Sequence, residues 1–442
     1  MKEDKGTLVR NYILDKLEQG ILWSKAKVPG ARDMAKEIGI SLLTVQKALE
    51  TLVNEGILET VARRGTFVHK DWKNRVLQRN VVVFHSDILW LDGFKKLICQ
   101  EIPALWVSQQ FKRGIFEIQT THYVQSHHDE YMDIPELFEL CYPDKSDFAM
   151  KPFEAFRVGK RLVGVPIIYS PRVLIYNPKL FSEVGCPVPE SGWGWDDFIF
   201  CIRKLRQRLL PEETFYWNDD ISLRFNFVLC CGGKLMNSDS EDIVMIDNEK
   251  TRRGLTLFRE LRHELGLEKI VPYGNYVNQF MDGRVAMSIE PREFLSNFAR
   301  KGFQDWNIVP LPHIPGGVDL NLQATESFCV RRECVNIGMA AQLLKLLLSS
   351  VFQNQLADLK YGLPVRQSAL GRSVDYHDSR DMLFLNEVSK MRSDYNLDSV
   401  DLHQLVCQGI SHLLNSDDDI NVGTAELANV LRIYLKIKNK TQ

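Results

Sequence analysis

Apolar positions at Leu8, Tyr12, Ile13 and Leu17 recur at helical spacing and the run ends at Gly20, which predicts a first amphipathic helix. A Pro29-Gly30 break precedes a short helix around Met34, Ala35 and Ile38, closed by Gly39. Ser41 stands where an N-cap is wanted, and Val45, Ala48, Leu49, Leu52 and Val53 form the apolar stripe of a third helix that Gly56 stops. Leu42, Thr44, Gln46 and Lys47 are left on its opposite or leading face. Ile57 to Val61 and Thr66 to Val68 then have the pattern of two strands joined through Ala62-Arg63-Arg64-Gly65, a short hairpin with a basic tip.

Three helices and such a hairpin predict an α+β winged helix-turn-helix over residues 1–72. The polar, basic stretch that follows predicts a linker at 73–80, ahead of a buried strand at Val81 to Phe84. From there short apolar strands, such as Arg161 to Ile168 and Val173 to Tyr176, alternate with helical stretches, such as Asp196 to Leu210 and Ile337 to Leu359. That alternation predicts an α/β body over residues 81–442, its sheets covered by helices. The apolar run Ile337 to Val351, interrupted by Gln342 and Lys345, falls short of the ~20 residues that cross a bilayer, so no membrane partner is expected.

Composition sharpens this picture at two points. With 442 residues, 45% hydrophobic, and 55 Lys+Arg against 57 Asp+Glu, the chain is neither disordered nor a single small domain. Residues 1–75 hold 14 basic and 10 acidic side chains, leaving 41 and 47 for the rest, so a small basic head precedes a mildly acidic body. A polyanion is the expected partner of the head alone. No apolar stretch follows a basic start, so a cytoplasmic location is expected. Nine cysteines without a CxxC pair fit free thiols, and His127-His128-Asp129-Glu130 fits a solvated turn, so neither a metal site nor a cofactor is expected.

A helix that reads DNA projects its N-terminal residues into the major groove while neighbours grip phosphates. Ser41, Thr44, Gln46 and Lys47 suit that role, with Arg32 near the backbone and Arg63, Arg64, Gly65 and Thr66 at the hairpin. Pro29 to Ala35, Gly39 to Leu49, Leu52 to Leu58 and Arg64-Gly65-Thr66-Phe67-Val68 together resemble the GntR-type DNA-binding domain. That family usually has Arg after the capping residue and again after Thr-Val, where this chain has Leu42 and Gln46.

The body carries its own ordered set of motifs. Gly159 to Pro166, Leu174 to Phe181, Trp195-Asp196-Asp197-Phe198, Cys231 to Leu235, Phe280 to Met287, Trp306 to Pro312 and Gly362 to Val365 resemble extracellular solute-binding proteins of sugar importers. The resemblance implies a two-lobed α/β fold of the periplasmic-binding-protein type 2. The first crossing between lobes falls near 172–177, another lies near Asn321 to Glu326, and ligand sits between the lobes. Sugars in such a cleft stack on aromatic rings and hydrogen-bond to polar side chains. The candidates are Asp87, Trp90, Tyr169, Trp217, Asn218, Phe225, Glu290, Arg292, Glu326 and Arg366.

These readings imply a transcription regulator, dimeric on a double-stranded operator, whose body senses a small molecule such as a sugar or oligosaccharide. One alternative is a body that has lost ligand binding and serves dimerisation or protein contact. Another is a pyridoxal-phosphate aminotransferase-like fusion, which needs a Schiff-base lysine in a phosphate-binding context, and no such cluster stands out. With no nucleophile–base pair, phosphate loop or paired carboxylates recognisable, catalysis is not expected.

Overall fold

The computed structural model describes residues 5–77, 80–85, 88–216, 221–237, 242–266, 273–393 and 399–441. Its head contains helices Lys5–Glu18, Ala31–Ile38 and Leu42–Asn54, then the antiparallel strands Leu58–Val61 and Gly65–Val68. Gly39, at φ 75°, ends the second helix in the left-handed region and bonds back to the Ala35 carbonyl, a reversal that side chains with a Cβ resist. Val9, Ile13, Leu14, Leu17, Met34, Val45, Leu52 and Val68 close the core. Residues Trp72–Leu77, expected to begin a linker, form a helix instead. Trp72 and Val76 are buried in the head's own cluster, and that burial holds the turn.

The first lobe is built on a six-stranded mixed sheet. Its order is Leu363–Pro364, Val165–Ser170, Ala324–Val330, Phe116–Thr120, Val81–Phe84, Trp106–Val107. Val81–Phe84 pairs in parallel with both of its neighbours. The second lobe centres on Arg172–Tyr176, flanked antiparallel by Met287–Pro291 and Asn307–Val309. Helices Trp195–Leu205, Ile221–Cys230, Glu249–Leu265, Val400–Asn415 and Ile420–Thr441 contribute to its main core. Gly254 lets two of these helices nearly touch, since a Cβ there would lie 2.5 Å from Val228 Cα.

The chain passes between lobes at Pro171, joining Val165–Ser170 to Arg172–Tyr176, and again at Gln323, between Leu322 in the second core and Ala324–Val330 in the first sheet. Two elements read as continuous are divided. Ile337–Leu347 and Ser350–Asp358 are separate helices because Ser349 caps the second. Arg161–Leu162 and Val165–Ser170 part at Gly164, where a Cβ would come within 3.0 Å of Phe156. The helix read over Asp196 to Leu210 runs instead from Trp195 to Leu205.

Candidate functional site

The head's third helix starts as its sequence demands. Ser41 Oγ accepts the Thr44 amide at 3.2 Å and lies 2.7 Å from Thr44 Oγ1, so both hydroxyls are drawn into the cap. Leu42, Leu43, Gln46 and Lys47 are exposed on the same turns, and so are Arg32, Arg63, Arg64 and Gly65. Thr66 is half-buried beside its strand partner Thr60. Arg63 holds a left-handed backbone at φ 60°, a conformation that costs an ordinary residue about 1–2 kcal/mol. Sequence reasoning passed over Leu43; its place outside the apolar stripe of an otherwise amphipathic helix was the available signal.

Between the lobes the structure gathers a charged cluster. Glu326, on Ala324–Val330, accepts hydrogen bonds from Trp90 Nε1 at 3.0 Å and Tyr361 OH at 2.8 Å, and His85 Nε2 lies 3.5 Å away. Across the seam, Glu293 opens the helix Arg292–Lys301, and its Oε2 is buried. Burial pushes the Glu293 carboxyl up to about 7 and nearby Glu326 adds to the rise, against the pull of Arg172 and His85. The folded chain thus keeps this proton where the unfolded chain has lost it. Its stabilising contribution is complete below the ordinary glutamate range and disappears as pH rises through about 7. Glu293→Gln is therefore expected to leave stability near pH 3.5 unchanged and to raise it at pH 8 by roughly 3 kcal/mol, read from denaturant midpoints at the two pH values.

The remaining candidates separate. Arg292 is buried: it donates to Ser373 Oγ, the Ser373 carbonyl and Asp381 Oδ1, while its backbone N–H reaches Ser170 Oγ across the crossing. Glu290, two residues earlier, accepts Ser288 Oγ–H at 2.6 Å. Tyr169 is buried in the first sheet, where desolvation pushes its hydroxyl up to about 12. Phe225 packs in the core of the second lobe. Arg366 is committed to Asp147 at 2.7 Å and stacks over Phe148 in the first lobe. Asp87, Trp217 and Asn218 lie outside the described residues. Sequence reasoning missed His85, Arg172, Glu293 and Tyr361; Glu293 sits in the same polar run as Glu290 and Arg292, which was the available signal.

A second junction ties head to body. The first helix turns Thr7, Asn11, Asp15 and Glu18, each one turn after the last, toward the first lobe. Thr7 donates to the Pro103 carbonyl, Asn11 to Cys99 Sγ, and Asp15 accepts Trp106 Nε1–H at 3.1 Å. Glu18 accepts Ser108 Oγ–H and the amides of Gln109 and Gln110. Burial lifts the Asp15 carboxyl above its ordinary range, and the indole N–H partly offsets that. Underneath, Val81 and Val83 join the head's apolar cluster with Trp106, while Val82 and Phe84 point into the lobe. The head covers this sheet face as a helix would in another α/β layer.

The model of bacterial extracellular solute-binding proteins matches residues 99–382. The chain belongs to that family. The gntR family of bacterial regulatory proteins matches residues 7–68, so this solute-binding family member carries a DNA-binding regulator's head. An uncharacterized lipoprotein in the oleD 5' region of Streptomyces antibioticus is 22% identical over 237 residues, 51% of this chain and 52% of that protein. The HTH-type transcriptional repressor NagR of Bacillus subtilis is 41% identical over 70 residues, 16% of this chain and 29% of that one. The chain thus spans about half or less of these curated relatives.

Solved structures share the fold of this family member. The GacH receptor of Streptomyces glaucescens, described unliganded and with acarbose, aligns at TM-score 0.65 and 16% identity over 81% of this chain and 99% of that one. An ABC substrate-binding protein from Listeria monocytogenes in complex with cycloalternan gives 0.64 and 15% over 81% and 98%. Among the described residues no helix is long and apolar enough to cross a membrane.

Proposed function

We propose that this chain is a cytoplasmic transcription regulator whose two-lobed body senses a sugar or oligosaccharide and alters operator binding. The observation that carries this reading is the junction itself. The DNA-reading head is fastened to the first lobe through Trp106 and Glu18, so a hinge motion between the lobes displaces the second lobe relative to the head. A ligand acts on DNA only by binding the open and closed bodies unequally, and a preference of about 100-fold supplies about 2.7 kcal/mol. The carboxyls of Glu326 and Glu293 and the His85 imidazole bring groups from both lobes to the seam where ligand hydroxyls would bind, with Trp90 and Tyr361 holding Glu326 in place. The acarbose and cycloalternan bound by the neighbouring folds make oligosaccharides the first class to test.

On the operator, Gln46 and Lys47 face base edges and phosphate, Arg32 the backbone, and Arg63 and Arg64 the adjacent minor groove. Leu42, where the family carries a charge, and the adjacent exposed Leu43 offer apolar contact to thymine methyl groups. Arg63→Gly separates this role from folding. Stability is expected to stay within about 1 kcal/mol, because glycine adopts the left-handed turn freely. Operator affinity is expected to fall and the slope of log affinity against log salt to flatten by about one, measured by fluorescence anisotropy at several salt concentrations.

The experiment that tests the whole reading is a thermal-shift screen of mono- and oligosaccharides followed by operator titration with any hit. A ligand at about 100 times its dissociation constant adds about 2.7 kcal/mol. A second reading, a body that no longer takes ligand, is favoured by the internal commitments of Arg292 and Glu290. No response across the panel would establish it in place of the sensor.

A further inference from the structure

The C-terminal helix Ile420–Thr441 lies on the second lobe and has two unlike faces. Ile420, Thr424, Ala428 and Leu431, spaced by successive turns, are buried in that lobe's core. Arg432 fastens the helix to Asp242 and Asp247, and Arg252 donates to Thr424. The outward face has Val422, Val430, Ile433 and Ile437, exposed by 57%, 48%, 58% and 62%. With Glu426 these positions form one stripe at spacings of four, four, three and four, about 22 Å long at helical rise. Branched apolar side chains aligned in water on a helix seated by these contacts form a surface suited to docking.

Charge along the helix selects the cover. The N-terminal half of the stripe carries Glu426 and follows Asp417, Asp418 and Asp419, while Lys436 and Lys438 flank its C-terminal half. Laid antiparallel on a copy of itself about a two-fold axis between Val430 and Ile433, the helix puts Glu426 opposite Ile437, between the copy's Lys436 and Lys438. Val430 and Ile433 then meet their counterparts at the centre. The same arrangement opposes the two helix dipoles. Laid parallel, it would set like charge against like along the whole length. An isologous contact of this kind closes after two subunits.

We infer that the helix Ile420–Thr441 is the interface through which two copies of this chain pair, antiparallel, by their second lobes. Resting on the sensor reading above, the pairing has a consequence: the axis is fixed to the second lobes and the heads to the first. Hinge closure in each body therefore moves both heads relative to the axis.

Sedimentation velocity on the purified full-length protein, over a range of concentrations, tests the pairing. The wild type is expected at twice the chain mass, and Ile433→Glu is expected to raise the dimer dissociation constant by about tenfold or more. Glu426→Lys and Lys436→Glu are each expected to weaken the dimer, and their combination to recover it. Far-UV circular dichroism of the variants verifies that these surface changes leave the fold intact. A monomeric wild type, a dimer indifferent to Ile433→Glu, or a combined charge swap that fails to recover association would overturn the inference. A monomer still stabilised by an oligosaccharide sinks the pairing and leaves the sensor standing. A dimer that no sugar stabilises does the reverse.

Discussion

Asp381→Ala is expected to lower the stability of the body by about 3–5 kcal/mol, because it strands the Arg292 guanidinium in a site from which water is excluded. Only 2% of that side chain is exposed, and Asp381 is its sole carboxylate partner within ion-pair distance among the described residues. The alanine variant also releases the Asp375 amide and Lys360, both of which bond to Asp381 Oδ2. Guanidinium unfolding of wild type, Asp381→Ala, Arg292→Leu and the double variant Arg292→Leu/Asp381→Leu forms a cycle. The double variant is expected to regain much of the loss, since a buried pair replaced by apolar groups is often close to neutral. A loss below about 1 kcal/mol in Asp381→Ala would mean that water reaches the guanidinium after all.

Trp106→Ala is expected to cost about 3–5 kcal/mol, a cavity in the layer shared by head and body together with a broken hydrogen bond to Asp15. Trp106 is 1% exposed, and its ring meets Phe111 edge-on at 5.7 Å. Trp106→Phe keeps most of the apolar area and loses the indole N–H, so about 1 kcal/mol is expected from it. Hydrogen exchange locates the damage. Loss of protection in Lys5–Glu18 and Val81–Phe84, with Leu42–Asn54 unaffected, is the expected pattern. Uniform loss across the second lobe would contradict the placement of this junction.

Much of this architecture was legible along the chain. Ser41, the Val45 to Val53 stripe and the Arg63-Arg64-Gly65 turn are local signals, and they made the winged head's elements readable without reference to the body. The resemblance of the body's ordered motifs to solute-binding proteins likewise implied two lobes, and the sheets of the two lobes follow it. The docking face of the first helix was not legible. Thr7, Asn11, Asp15 and Glu18 are polar residues at helical spacing, which alone describe a solvated face; their partners lie about 90 residues further along. Glu293 is hidden for a related reason, since its raised proton affinity comes from burial and from nearby Glu326, both of which exist only once the crossings form. Trp90 read as a ring open to ligand. In the fold it is wedged among Phe84, Phe94 and Phe352 and presents only its N–H to Glu326.

Val81 and Val83 also bear on any attempt to re-engineer this chain as a modular biosensor. Severing it near residue 80 would leave the body with a greasy wall facing water, and such a fragment would be prone to clump in the test tube. Grafting a foreign DNA reader in its place requires more than a compatible tether. The newcomer must bring a helix that roofs those two valines and a carboxylate to meet the Trp106 indole.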